Sequence, residues 1–112
     1  MTIREERVGG VLVIAPAGRV DSTTSGDFDA RLVAAHKEGD RVLVVDFSGV
    51  DYISSAGLRV MLSLAKRTKS EQGRLALCGL EDAVRQVFDL AGFLPLFAVE
   101  PTRAAAVARV SS

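Results

Sequence analysis

Val45-Asp46-Phe47-Ser48-Gly49-Val50-Asp51-Tyr52-Ile53-Ser54-Ser55-Ala56-Gly57-Leu58-Arg59 runs from an apolar strand, through a polar turn, into the start of a helix. Just upstream, Val42-Leu43-Val44-Val45 is apolar at every position, the pattern of a strand covered on both faces. Downstream, Leu58, Met61, Leu62 and Ala65 fit one helical stripe, with Met61 and Leu62 as core; Arg59, Ser63, Lys66 and Arg67 lie off it. Ser54 and Ser55 fall where that helix begins. The first N–H groups of a helix lack internal partners and carry the positive end of its dipole. A serine there serves either as a cap or as a site for a phosphate.

Working outward, Gly9-Gly10 after Val8 is a hairpin signal, and Val11-Leu12-Val13-Ile14-Ala15 reads as a strand inside a sheet. Pro16 has no ladder donor, so the strand is expected to loosen there. Asp21-Ser22-Thr23-Thr24-Ser25 is rich in capping residues and leads into a helix carrying Phe28, Leu32, Val33 and Ala35, stopped at Gly39. Beyond the central helix, Thr68 to Gly73 reads as a loop and Leu75-Ala76-Leu77-Cys78 as a strand. Leu80 before Glu81 suggests a staple onto a third helix with Val84, Val87 and Phe88, ended by Gly92. Pro95 to Val99 reads as a short edge strand. Pro101 opens a last helix through Val107, and Ser111-Ser112 forms a frayed end. Helices alternating with strands predict parallel pairs joined by right-handed crossovers. The expected fold is therefore α/β: one domain over residues 1–112, a mixed sheet with an N-terminal hairpin and about four helices.

Composition narrows the function. Of 112 residues, 48% are apolar and 25% charged, with 14 basic and 14 acidic side chains and no net charge. No basic field is available for collecting nucleic-acid phosphates, and no apolar run reaches the length of a membrane span. Met1-Thr2-Ile3-Arg4-Glu5-Glu6-Arg7 lacks the apolar core of a signal peptide, and the single Cys78 cannot form an internal disulfide. A cytoplasmic location is expected, with Cys78 as core filler.

Enzymatic chemistry finds little support. Neither phosphate-binding glycine loop is present, and Ser55 is not framed as Gly-x-Ser-x-Gly. A serine nucleophile needs a base. The only histidine, His36, sits at the polar end of the first helix and is expected to be solvated. One Cys and one His cannot close a zinc site. No enzyme and no cofactor are expected. The residues instead suggest a modification switch at Ser54 or Ser55. A phosphoryl group adds about −1.5 to −2 charges, which a helix start tolerates and a docked partner does not.

The run Val44 to Leu58 and the order of elements resemble the STAS domain (sulfate transporter and anti-sigma antagonist), in particular its stand-alone anti-sigma factor antagonists. The likeness lies in the apolar strand, Asp46-Phe47-Ser48, the aromatic at Tyr52 and Ser55-x-Gly57-Leu58, with Gly18-x-x-Asp21 as a second motif. It spans essentially the whole chain. The resemblance implies a partner-switching regulator of transcription. Its serine, here Ser55, is phosphorylated by an anti-sigma factor that is a serine kinase and restored by a metal-dependent serine phosphatase. The unphosphorylated form binds the kinase, and phosphorylation releases it. Asp21 and Ser22 would join Ser54, Ala56 and Gly57 in the partner-binding surface, with Arg59 one turn into the helix. Any ATP or metal would sit on the partners, with no nucleic acid and no membrane insertion.

Two positions depart from the family pattern. Many antagonists have Asp-Ser-Ser/Thr-Gly here, whereas this chain has Ser54-Ser55-Ala56-Gly57. Ser54 replaces an acid and becomes a competing acceptor; Ala56 replaces a hydroxyl. Two other readings stand beside the switch. The chain could be a STAS subunit of a membrane transport complex, a constitutive interaction module in which Ser55 is only a cap. It could also be a small-molecule sensor, for which the chain leaves little room.

Overall fold

The longest strand, β2 (Val11–Val20), has apolar residues on both faces and so lies where both faces are covered. The computed structural model describes residues 1–111. Gly9, at φ +61°, turns the chain from β1 (Thr2–Val8) into β2, and the two strands pair antiparallel from Val8↔Val11 to Thr2↔Ala17. The other edge of β2 is shared. Leu12 to Ile14 pair in parallel with β3 (Val42–Asp46), and Ala17 to Val20 pair in parallel with β4 (Gly49–Ile53). Beyond β3 come β5 (Arg74–Cys78) and β6 (Ala98–Glu100), both parallel, giving the order β1-β2-β3-β5-β6 with β4 beside β2. The mixed α/β fold with an N-terminal hairpin is as the sequence indicates.

Strand side chains alternate between two cores, as the period-2 pleat requires. Leu12, Ile14, Leu43, Val45 and Leu77 face one side, packed by α1 (Ser25–Lys37), α2 (Ser55–Ser70) and α3 (Asp82–Leu90). Val11, Val13, Val44, Ala76 and Cys78 face the other, where α4 (Arg103–Ser111) supplies Ala106 and Val110. Phe28, Phe47 and Phe88 are fully buried and meet edge to face, with centroids 6.5 Å and 5.8 Å apart.

Several local expectations are corrected. Residues 49–53, read as part of a polar turn, form a strand. A bulge at Gly18/Arg19 shifts the register past Asp51, so Val50 and Ile53 are buried while Asp51 and Tyr52 are exposed. That break removes the alternation by which a strand is recognised. Pro16 does not loosen β2. It lies between the segments paired with β3 and β4, where the second edge needs no donor. The helix α2 continues to Ser70, ending where Gln72 takes φ +57°, and its buried stripe is Leu58, Met61, Leu64 and Thr68; Leu62 is only half-buried.

Toward the end of the chain, Leu94–Leu96 close a single 3-10 turn around Pro95, which cannot donate to a ladder, and leave a strand of only three residues, Ala98–Glu100. The last helix opens at Arg103 rather than Pro101, with Thr102 Oγ1 accepting from Ala105 N–H at 3.1 Å. Ser111 closes that helix, and Ser112 lies outside the described residues. Among the described residues no helix is long and apolar enough to cross a membrane.

Candidate functional site

The start of α2 is hung on the end of β2. Ser54 N–H donates to Val20 O at 2.9 Å, and Ser54 O accepts from Leu58 N–H at 2.9 Å as the first turn closes. Gly57 lets this helix approach so closely. A Cβ at that position would stand 2.7 Å from Ile53 Cγ1, 2.8 Å from Val20 Cγ1 and 3.1 Å from Val20 O. Only hydrogen fits there.

The two serines are placed differently. Ser54 is the N-cap, but its Oγ makes no cap bond; it is buried without a hydrogen-bond partner among the described residues. Ser55 is the first helical residue and is exposed. The first-turn N–H groups beside it have no partners within the helix, and they carry partial positive charge.

Directly after Val20, Asp21 organises a tight turn. Its Oδ1 accepts from Thr23 Oγ1 at 2.8 Å and from Thr23 N–H at 3.0 Å. Thr24 Oγ1 accepts from Asp21 N–H at 2.9 Å and donates to Arg19 O at 2.7 Å, so Thr24 fills the N-cap position of α1 without capping it. The bond from the Thr23 hydroxyl, followed by that from its N–H, holds the Asp21 carboxyl down at about 2. Asp21 is therefore an anion throughout the physiological range. Ser22 is exposed on the same turn.

Pairing of Arg19 with Tyr52 across β2 and β4 sets the Arg19 guanidinium 4.2 Å from the centroid of the half-exposed Tyr52 ring. Arg59, exposed one turn into α2, borders a shallow depression of about 300 Å³ with Ser25, Gly26, Asp29, Ala56 and Val60. Asp21 and Ser54 are thus joined through Val20, with Ser55 beside them, while Gly57 is buried and serves the helix approach. The Arg19–Tyr52 stack was not legible in the sequence, because it depends on a strand read as a turn. The signal available was the short spacing between the aromatic at Tyr52 and the serine pair.

Asp46, within the same sequence run, does a structural job. Its Oδ1 accepts from Ser48 N–H at 2.9 Å, and its Oδ2 accepts from Arg103 Nε and Nη2 at 2.9 Å and 2.8 Å. Burial works to raise its carboxyl, but the Ser48 bonds and the Arg103 guanidinium outweigh it and hold the group below its ordinary value. Gly79, at φ +69°, presses against the same carboxylate; a Cβ there would stand 2.8 Å from Oδ1. Burial, and then the nearby Asp46 charge, push the Cys78 thiol up to about 12, so this cysteine is an inert core group.

His36 departs from the solvated place expected of it. It is 7% exposed and faces α2. Among the described residues no group of three or more His, Cys, Asp or Glu is placed to hold a metal ion.

Residues 2–106 match the sequence profile of the STAS domain. A Bordetella bronchiseptica protein named anti-sigma factor antagonist BtrV is 42% identical over 108 residues, covering 96% of this chain and 93% of that protein. The crystal structure of an anti-sigma factor antagonist from Mycobacterium paratuberculosis superposes with a TM-score of 0.91 at 25% identity, over 99% of this chain and 94% of its own. The Bacillus anti-sigma factor antagonist SpoIIAA, known in unphosphorylated and phosphorylated forms, shares the fold with TM-scores of 0.83 and 0.75 at 23% and 22% identity. The two forms match 97% of this chain over 96% and 99% of their own lengths.

Proposed function

The chain belongs to the STAS domain family, and from that premise we propose that it is an anti-sigma factor antagonist switched by phosphorylation of Ser55. In its unphosphorylated form it binds an anti-sigma factor that is also a serine kinase. The kinase transfers the γ-phosphoryl group of ATP to Ser55 Oγ, whose proton passes to a base on the kinase, and ADP leaves. A metal-dependent serine phosphatase returns the hydroxyl. The chain is ligand and substrate in this cycle, while nucleotide and metal belong to the partners.

The observation that carries this reading is the contrast between an exposed hydroxyl and a pinned backbone at Ser55. The Val20–Ser54 bond and the close contact at Gly57 fix the helix start. A dianion on Ser55 would meet first-turn N–H groups and the helix dipole, a stabilisation of about 0.3–1 kcal/mol, so the fold tolerates it. A docked partner is affected in the opposite sense. New charge beside the permanently ionised Asp21 repels acidic groups and holds water at the interface. Burial of Ser54 Oγ supports Ser55 as the acceptor over its neighbour.

Intact-mass measurement and pull-down from cell extract, with and without ATP, test the switch on wild type, Ser55→Ala and Ser55→Asp. Wild type is expected to gain one phosphoryl mass and Ser55→Ala none. Ser55→Asp is expected to lose a kinase partner that Ser55→Ala retains. Capture of the same membrane-associated protein by all three, with no mass gained, would replace the switch with a constitutive transport-complex module.

A further inference from the structure

The far end of α2 holds a second polar site that the docking surface does not use. His36, on the last turn of α1, is 7% exposed, and neither Nδ1 nor Nε2 has a hydrogen-bond partner among the described residues. Arg67, on the last turn of α2, has Nε and Nη2 buried and likewise unpartnered. With Val33, Lys37, Arg41 and Glu71, these two side chains line a cavity of about 350 Å³. Arg67 lies twelve residues beyond Ser55, roughly 18 Å along the helix axis at 1.5 Å per residue.

Basic residues at helix C-termini have an ordinary use, since they oppose the negative end of the dipole. That accounts for charge at this end but not for burial. A guanidinium and an imidazole turned inward without acceptors are costly, and such groups are rare unless something accepts from them. Arg41 is already committed: its Nη1 donates to His36 O at 2.8 Å and to Asp40 O at 3.1 Å, and its Nη2 lies 3.6 Å from Glu71 Oε2. Arg67 is not. Its Nε and Nη2 form the edge of the guanidinium that grips an oxyanion side-on, and the same edge of Arg103 holds the Asp46 carboxylate.

We propose that this cavity binds a small oxyanion, a phosphate- or sulfate-type group, which accepts from Arg67 Nε and Nη2 and from the His36 ring. The surrounding charge favours it. Lys37 from α1, Arg41 from the following loop and Arg67 from α2 face a single carboxylate, Glu71. Asp40 is taken by Arg7 and Glu38 by Arg31. Burial, then the charges of Arg41 and Arg67, push the His36 imidazole below its ordinary value, with Glu71 opposing. A bound anion offsets those positive charges and stabilises the imidazolium. Binding and protonation of His36 are therefore coupled, and acidification tightens binding. Distance along α2 leaves Ser55 free while the cavity is filled.

His36 is the only histidine, so its ring C–H resonances report on the site directly. Sodium sulfate is the first probe because its charge is constant across the range used. Sulfate is expected to shift those resonances saturably, against sodium chloride at equal ionic strength, and to raise the His36 pKa. Affinity should increase several-fold from about pH 7.5 to about 5.5, as charge on the histidine predicts. Arg67→Gln should weaken binding at least tenfold and Glu71→Gln should tighten it, while Ser55→Ala changes nothing. Inorganic phosphate at constant pH, followed by a phosphomonoester, distinguishes a free ion from one carried on a larger molecule. Equal, non-saturating shifts in sulfate and chloride would overturn the proposal. So would unchanged sulfate binding in a folded Arg67→Gln protein together with no gain in Glu71→Gln.

Discussion

At Gly57 one missing methyl group sets the distance between α2 and the end of β2. Alanine there would place carbon 2.7–2.8 Å from two branched side chains that are themselves buried. Either the helix start or the β2–β4 pairing must shift. Gly57→Ala is expected to lower stability by about 1–3 kcal/mol in urea unfolding and to weaken partner capture, because Ser54 and Ser55 move with the helix. Ser54 behaves oppositely. Its Oγ is buried and has no partner among the described residues, so Ser54→Ala removes an unsatisfied hydroxyl and should be neutral or slightly stabilising in the same measurement. It should also leave the phosphoryl mass gain at Ser55 intact. The helix start and its two hydroxyls were readable from the sequence. Which hydroxyl points outward was not, because that depends on the Ser54–Val20 bond, between residues far apart in the chain.

Among the elements, α4 is held to the sheet through Arg103. Its guanidinium bridges Asp46 and Glu6, and so ties a late helix to β3 and to the first hairpin. Arg103→Met keeps the aliphatic stem but leaves Asp46 buried with only its Ser48 bonds. A loss of roughly 2 kcal/mol is expected, the size of stranding a buried polar group. The sign with pH follows from the depressed Asp46 carboxyl. Its contribution is present above the unfolded value near 3.8 and is lost as pH falls through the folded one. Without Arg103 the folded value rises, so the acid-unfolding midpoint, followed by circular dichroism, should move to higher pH. The parallel strands and amphipathic helices were legible because each carries its own periodicity. β4 was not, since Asp51, an extra residue opposite the Gly18/Arg19 step, breaks its alternation, and the strand rests on β2 for its identity. The 3-10 turn at Leu94–Leu96 was lost for a similar reason: Pro95 and its apolar neighbours have the composition of an edge strand and only the hydrogen bonds decide.

For the molecule as a whole, His36 makes stability depend on pH in the mildly acidic range. Its folded value lies below the ordinary 6.5 because of burial, so the unfolded chain binds a proton more readily. Stability should therefore be complete above that value and decline as pH falls from it toward the folded one. Thermal unfolding in chloride buffers from about pH 7.5 to about 5 should show this decline, and His36→Gln should flatten it. Charge balance points the same way as function. With no net charge, the chain has no general field for polyanions, so under the proposed switch recognition would rest on local groups such as Asp21, Arg59 and the Arg19–Tyr52 stack.

The two cores are completed at different moments of synthesis. Every strand and helix of the larger core has been made by the time Phe88 and the short β6 emerge, yet Val11, Val13, Val44, Ala76 and Cys78 still present a bare apolar face. Only α4, the last element described, covers it. A nascent chain stalled before Arg103 would therefore expose a sticky sheet to chaperones and proteases. Arrival of that one arginine, reaching back to Glu6 in the first strand, ties the late helix to the hairpin made long before it.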